Sequence, residues 1–173
     1  MDLWAAIADG AADESPLWAS ALLPLAEREL TPVFSPLAAE RHRLGLETIY
    51  EGYLLHYGHP RLFAPPDPDT ALLLGDYLYA HGLVRIAGLG DVAAVADLAE
   101  LISLCAQARA HGSDGDGPAW AASAALLGAG RLDVARDALR LKGDPAPLAE
   151  LARGLVGDVA LAAALAAHRS RVG

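Results

Sequence analysis

Apolar residues recur along this chain at steps of three and four, the spacing that lines one face of an α-helix. Alanine and leucine carry much of that pattern, while aromatic and β-branched residues are few, which favours helix over strand. The pattern therefore predicts an all-α protein. Ser15-Pro16 and Ser35-Pro36 read as an N-cap followed by proline at the first helical position, and Asp67-Pro68 and Gly90-Asp91 as further starts. Helices are expected at roughly 16–30 (disturbed by Pro24), 36–57, 69–88, 91–110, 118–129, 131–141, 145–154 and 158–169. Two longer interruptions remain, the proline-rich run His59 to Pro68 and the segment HGSDGDGP from His111 to Pro118. The second is the expected mobile loop. Its Asp114 and Asp116 resemble the start of a calcium loop, but the later ligands are missing, so a solvated linker is expected.

Composition sets the scale: 173 residues, 54% of them hydrophobic, suffice for one domain with an ample core. The expectation is a single bundle of seven or eight helices, with residues 1–35 as an N-terminal docking segment, 36–110 as the informative helices, 111–118 as a loop and 119–173 as C-terminal packing helices. With 13 Lys and Arg against 22 Asp and Glu, the net charge of −9 repels phosphate backbones, so nucleic acid is not an expected partner. The single cysteine, Cys105, forms no intramolecular disulfide and supplies no structural zinc site; its apolar run marks it as a small core side chain. The start Met-Asp-Leu-Trp lacks a basic region, and no apolar window is long enough to span a bilayer, so a cytoplasmic protein is expected, peripheral at most to a membrane complex.

The candidate chemistry lies between Glu47 and Gln107. Glu47 and Glu51 are one helical turn apart and project from one face, a geometry able to grip a divalent cation. Gly58-His59-Pro60 follows as a turn, then Gly75-Asp76-Tyr77-Leu78, then Leu98-Ala99-Glu100-Leu101-Ile102 closed by Cys105-Ala106-Gln107. This frame of about sixty residues resembles the first half of the polyprenyl synthetase family, the trans-isoprenyl diphosphate synthases. In that resemblance Glu47 and Glu51 occupy the first and last positions of the family's DDxxD motif, Gly58-His59-Pro60 its Gly-x-Pro turn, and Gly75 to Leu78 its Gly-Asp-Tyr-Leu helix start. The likeness implies an arrangement like part of the isoprenoid synthase bundle, with Mg²⁺ at the acidic motif and an apolar channel for the growing chain.

The departures point away from prenyl transfer. Thr48 stands at the second acidic position, and His56-Tyr57 stand where the family has an arginine pair. Neither side chain replaces two guanidinium forks on diphosphate oxygens. The upstream glycine-lysine-arginine motif and the second acidic motif are absent. Asp133 and Asp137 repeat the four-residue spacing but lie too close to the first motif, and Arg136 beside them suggests a surface salt-bridge face. A degenerate relative is therefore expected, acting as an accessory subunit with a protein partner, either another copy or a different chain; heteromeric members of the family suggest a complete prenyl synthase. The alternatives are an isoprenoid or quinone-tail carrier, and a surviving Mg²⁺-dependent enzyme of isoprenoid diphosphates. No resident cofactor is expected; Mg²⁺ is the ion that Glu47, Glu51 and Asp76, with His56, His59 and His81 in reach, would take.

Tyr50, Tyr53 and Tyr57 recur on the Glu47 helix and Tyr77 and Tyr79 on the next, a stripe of the residue types that anchor helix or protein interfaces. With Trp4 and Trp18 of the N-terminal segment, Tyr50, Tyr53 and Tyr57 are the candidate interface residues. The two tryptophans have two possible destinations, this domain or another protein.

Overall fold

Three of the expected helix starts close as capped N-termini. Ser15 Oγ accepts from the Leu17 amide at 3.2 Å, Asp67 Oδ1 from Thr70 at 2.8 Å and Asp91 Oδ1 from Ala94 at 3.0 Å, each satisfying an amide that the first helical turn leaves free. The computed structural model describes residues 2–172. Eight α-helices run in order: α1 (Leu3–Glu14), α2 (Pro16–Ser20), α3 (Arg43–Tyr57), α4 (Pro68–Ala87), α5 (Val92–Ala110), α6 (Asp116–Ala125), α7 (Asp133–Lys142) and α8 (Ala146–Val172). The all-α expectation holds, and among the described residues the only β pairing is an isolated bridge between Leu22 and Phe63.

The N-terminal third departs from expectation. Helix α1 lies where no helix was expected, opened by Asp2, whose carboxylate accepts from the Trp4 amide at 3.0 Å. The helix expected over 16–30 stops at Ser20, and Pro24 and a single 3-10 turn (Leu25–Glu27) follow. Ser35-Pro36 opens a 3-10 turn instead of α3, which begins only at Arg43. At the other end, the expected gap between two C-terminal helices is present: Gly157 adopts φ 80° and ψ 165°, a conformation open to glycine, and breaks α8.

Helices α3 and α4 pack backbone to backbone. A Cβ on Gly52 would lie 2.8 Å from the Gly75 carbonyl oxygen, and one on Gly82 would lie 2.9 Å from the Gly45 carbonyl oxygen. These four glycines let the axes approach so closely that the intervening face of α3, from Gly45 to Leu54, is entirely buried. The acidic pair sits on that buried helix. The main core joins Phe34, Tyr50, Tyr53 and Trp120 to the leucines and alanines of α5, α6 and α8; a smaller one beneath α1 gathers Ile7, Leu62, Phe63, Leu74 and Leu78.

The C-terminal part of α8 is tied back to the loop after α3. The His59 amide donates to the Arg171 carbonyl at 2.9 Å, and Arg171 Nη2 lies 2.5 Å from Glu29 Oε2. Arg136, expected on a surface face, is instead buried. It holds α7 to α5 through Asp97, donating to the carboxylate at 2.8 Å and to the main-chain carbonyl at 3.0 Å. Among the described residues no helix is long and apolar enough to cross a membrane.

Candidate functional site

Glu47 and Glu51 have no exposed surface, and the group between them is the Arg61 guanidinium, itself fully buried. Gly58 closes α3, and the chain folds back so that Arg61 meets the face it has just left. Arg61 Nη1 lies 2.7 Å from Glu47 Oε2, and Arg61 Nε donates to Glu51 Oε2 at 2.9 Å. Main-chain amides complete the site. Arg61 and Leu62 each donate to Glu51 Oε1 at 2.7 Å, and Val33 and Ser35 to Glu47 Oε1 at 3.3 Å. Two carboxylates against one guanidinium leave an excess negative charge, and these four N–H dipoles offset it. Burial works against the charge of Arg61, but Glu47 and then Glu51 outweigh it, and the Arg61 pKa is raised. Trp4 of α1 covers the guanidinium from one side, 4.7 Å from its ring centre, and Tyr50 from another at 5.1 Å.

This geometry corrects the metal expectation. A cation already sits between the carboxylates, so the residues present do not fit Mg²⁺. Asp76, expected as a third ligand, projects from α4 with its side chain 66% exposed and pairs with His56 at 3.3 Å. Thr48, at the second motif position, donates its hydroxyl to the Leu44 carbonyl of its own helix at 2.7 Å. Among the described residues no group of three or more His, Cys, Asp or Glu side chains is placed to hold a metal ion.

The candidate interface residues divide between the core and the partly exposed surface. Tyr50 and Tyr53 are buried in the main core, with Trp120 edge-on to both at 5.0 and 5.5 Å, and half-buried Tyr57 packs on Tyr53. Trp18 stacks on Tyr77 at 5.9 Å and Trp4 lies over Arg61, so both tryptophans dock on this domain.

A second polar cluster joins residues far apart in sequence. Asp116, expected in a solvated linker, is buried as the first residue of α6. It accepts a short hydrogen bond from the Tyr53 hydroxyl, pairs with Arg109 Nη2 at 2.5 Å and faces His168 Nε2 at 3.4 Å. Arg109 Nε donates to the Tyr53 oxygen at 3.0 Å, and Tyr50 and His168 Nδ1 meet at 2.9 Å. Burial raises the Asp116 pKa, but the donors His168 and Tyr53 and the charges of His168 and Arg109 overcome it and hold the carboxyl well below the usual range. Burial and then Asp116 push the Tyr53 phenol far up, so it stays a donor. A cleft of about 540 Å³ opens beside this cluster, with Arg109, Asp114 and Arg169 among its charged lining residues.

No protein-family model, curated protein or solved structure matches this chain. The polyprenyl-synthetase likeness therefore rests on the sequence frame between Glu47 and Gln107 alone.

Sequence reasoning missed Arg61, Asp116 and His168 as site residues. Arg61 carried one legible signal, a lone cation inside an otherwise uncharged stretch ten residues after Glu51. Asp116 and His168 carried none: apart from Arg109, seven residues before Asp116, their partners arrive from more than fifty residues away.

Proposed function

We propose that this chain is a non-catalytic, polyprenyl-synthetase-like helical protein that serves as the binding subunit of a protein complex. One observation carries the reading: Arg61 occupies the space between Glu47 and Glu51, where the resemblance would put Mg²⁺. An internal guanidinium supplies charge balance but no Lewis acid able to draw off a diphosphate. The acidic turn inherited with the frame then acts as a clamp between α3 and the following loop. Prenyl transfer loses its differential stabilisation of a developing diphosphate anion, and what remains is a rigid helical surface.

The outer face of α4 is where a partner is to be sought. Leu73 and Val84, exposed by 56% and 66%, lie three turns apart on the same side of that helix. A helical partner polypeptide is the occupant this reading names. Native mass spectrometry of the protein purified gently from its own cells is expected to show a stoichiometric second polypeptide, lost with Leu73→Asp plus Val84→Asp while circular dichroism is unchanged. A chain that runs alone, or allylic diphosphate turnover abolished by Glu51→Gln, overturns the proposal.

A further inference from the structure

The cleft beside α6 has a closed floor and an open rim. Asp116 and His168 form the floor, facing each other at 3.4 Å with 7% and 3% of their side chains exposed, so neither is free to meet an arriving molecule. Recognition falls to the rim. There Arg109 keeps 28% of its side chain exposed, and two of its nitrogens are already engaged: Nε donates to the Tyr53 oxygen at 3.0 Å and Nη2 pairs with Asp116 at 2.5 Å. Nη1 has no acceptor among the described residues, and it is the donor that Arg109 keeps for the cleft it lines. The guanidinium is therefore held in place before any ligand binds, which lowers the cost of ordering it.

Two further charges line the same cleft from different elements, Arg169 on α8 and Asp114 in the loop that leads into α6. Both are exposed, and among the described residues neither stands in an ion pair. Leu165, Val172 and Pro118, each half-buried, supply an apolar wall, and the volume of about 540 Å³ falls in the range of small-molecule sites. The charges then select the ligand. A simple anion gains Arg169 and Arg109 but meets Asp114, and a simple cation gains Asp114 but meets two guanidinium groups. A molecule that bears a carboxylate and an ammonium group on one carbon satisfies both signs at once. An aliphatic branch from that carbon covers the apolar wall.

We propose that this cleft binds a free α-amino acid with an aliphatic side chain. Its carboxylate accepts from Arg109 Nη1 and pairs with Arg169, its ammonium group pairs with Asp114, and its side chain lies on Leu165 and Val172. The site is separate from the partner-binding face of α4, and either can fail without the other. Titration of the full chain at neutral pH, followed by heteronuclear NMR, tests it with three probes: leucine, 4-methylpentanoate, which lacks the ammonium group, and isopentylamine, which lacks the carboxylate. Leucine is expected to bind with a dissociation constant of about 1 mM or tighter. Each analogue is expected to bind at least about fivefold more weakly, having lost one charge-assisted contact and left one rim charge opposed or unmet. Asp114→Asn should bring leucine and 4-methylpentanoate to within about twofold of each other, and Arg169→Gln should do the same for leucine and isopentylamine. Both positions are exposed, so the thermal midpoint should not change in either variant. No leucine-induced shift up to about 10 mM, an analogue that binds as tightly as leucine, or a variant that keeps the preference it should lose would each refute the proposal.

Discussion

Replacing Arg61 by methionine removes the one cation between Glu47 and Glu51 while keeping much of its apolar volume. The variant loses the contacts to Glu47 at 2.7 Å and Glu51 at 2.9 Å and the hydrogen bond to the Thr31 carbonyl at 3.1 Å. Glu51 retains the amides of residues 61 and 62 at 2.7 Å, whereas Glu47 retains only two amides at 3.3 Å, so Glu47 is the carboxylate left most exposed to the desolvation penalty. Breaking a buried pair from one side costs about 3–5 kcal/mol. That is a large share of the roughly 5–15 kcal/mol that holds a domain folded. For a chain of this size it corresponds to a thermal midpoint lower by roughly 6–20 °C. Urea denaturation followed by circular dichroism at pH 7 reads it directly. The combined variant Arg61→Met, Glu47→Gln, Glu51→Gln should recover about half of the loss or more, because neutral amides still accept the four main-chain N–H groups without an uncompensated charge. A single variant costing under about 1 kcal/mol, or a combined variant no better than the single one, would show that the ion pair is not what holds this loop to α3.

The same clamp predicts that millimolar Mg²⁺ leaves the thermal midpoint of the wild-type chain unchanged; a clear upward shift would mean that the acids can be reached. Asp116 has a folded pKa below its unfolded one, so its stabilisation is present above the unfolded carboxylate pKa and is lost as pH falls through the folded value. Asp116→Asn should therefore cost about 1–3 kcal/mol at neutral pH, with the gap to wild type narrowing in urea titrations at pH 3. Gly82→Ala brings a Cβ within 2.4 Å of Ile49 Cγ1 and 2.9 Å of the Gly45 carbonyl, forcing α3 and α4 apart. It should destabilise by about 1–3 kcal/mol. Gly154→Ala in α8 meets nothing within 4 Å and should stabilise by roughly 0.5–1 kcal/mol; equal effects at the two sites would refute the close-packing account.

What the sequence determined by itself is local. Ser15, Asp67 and Asp91 announced helix starts because a cap needs only a side-chain oxygen and the amides two or three residues ahead, and the C-terminal break near Gly157 followed from the same short-range logic. The buried fate of Cys105 was legible in its apolar neighbours. Helix α1, outside the expected helices, is just as local: Asp2 caps it and Ile7 and Ala11 recur four apart on its buried side. Tertiary structure alone decided what the polar residues do. The spacing of Glu47 and Glu51 is equally good for a metal ion and for a guanidinium, and the choice depended on a loop that folds Arg61 back over them. The tyrosine stripe likewise said that a face of α3 would be covered, not by what; the cover came from Trp120 and from His168, 118 residues beyond Tyr50. Periodicity records which side of a helix leaves water, a property of neighbours in sequence. The identity of the group that meets that side is set by chain crossings tens of residues long, and no local pattern encodes it.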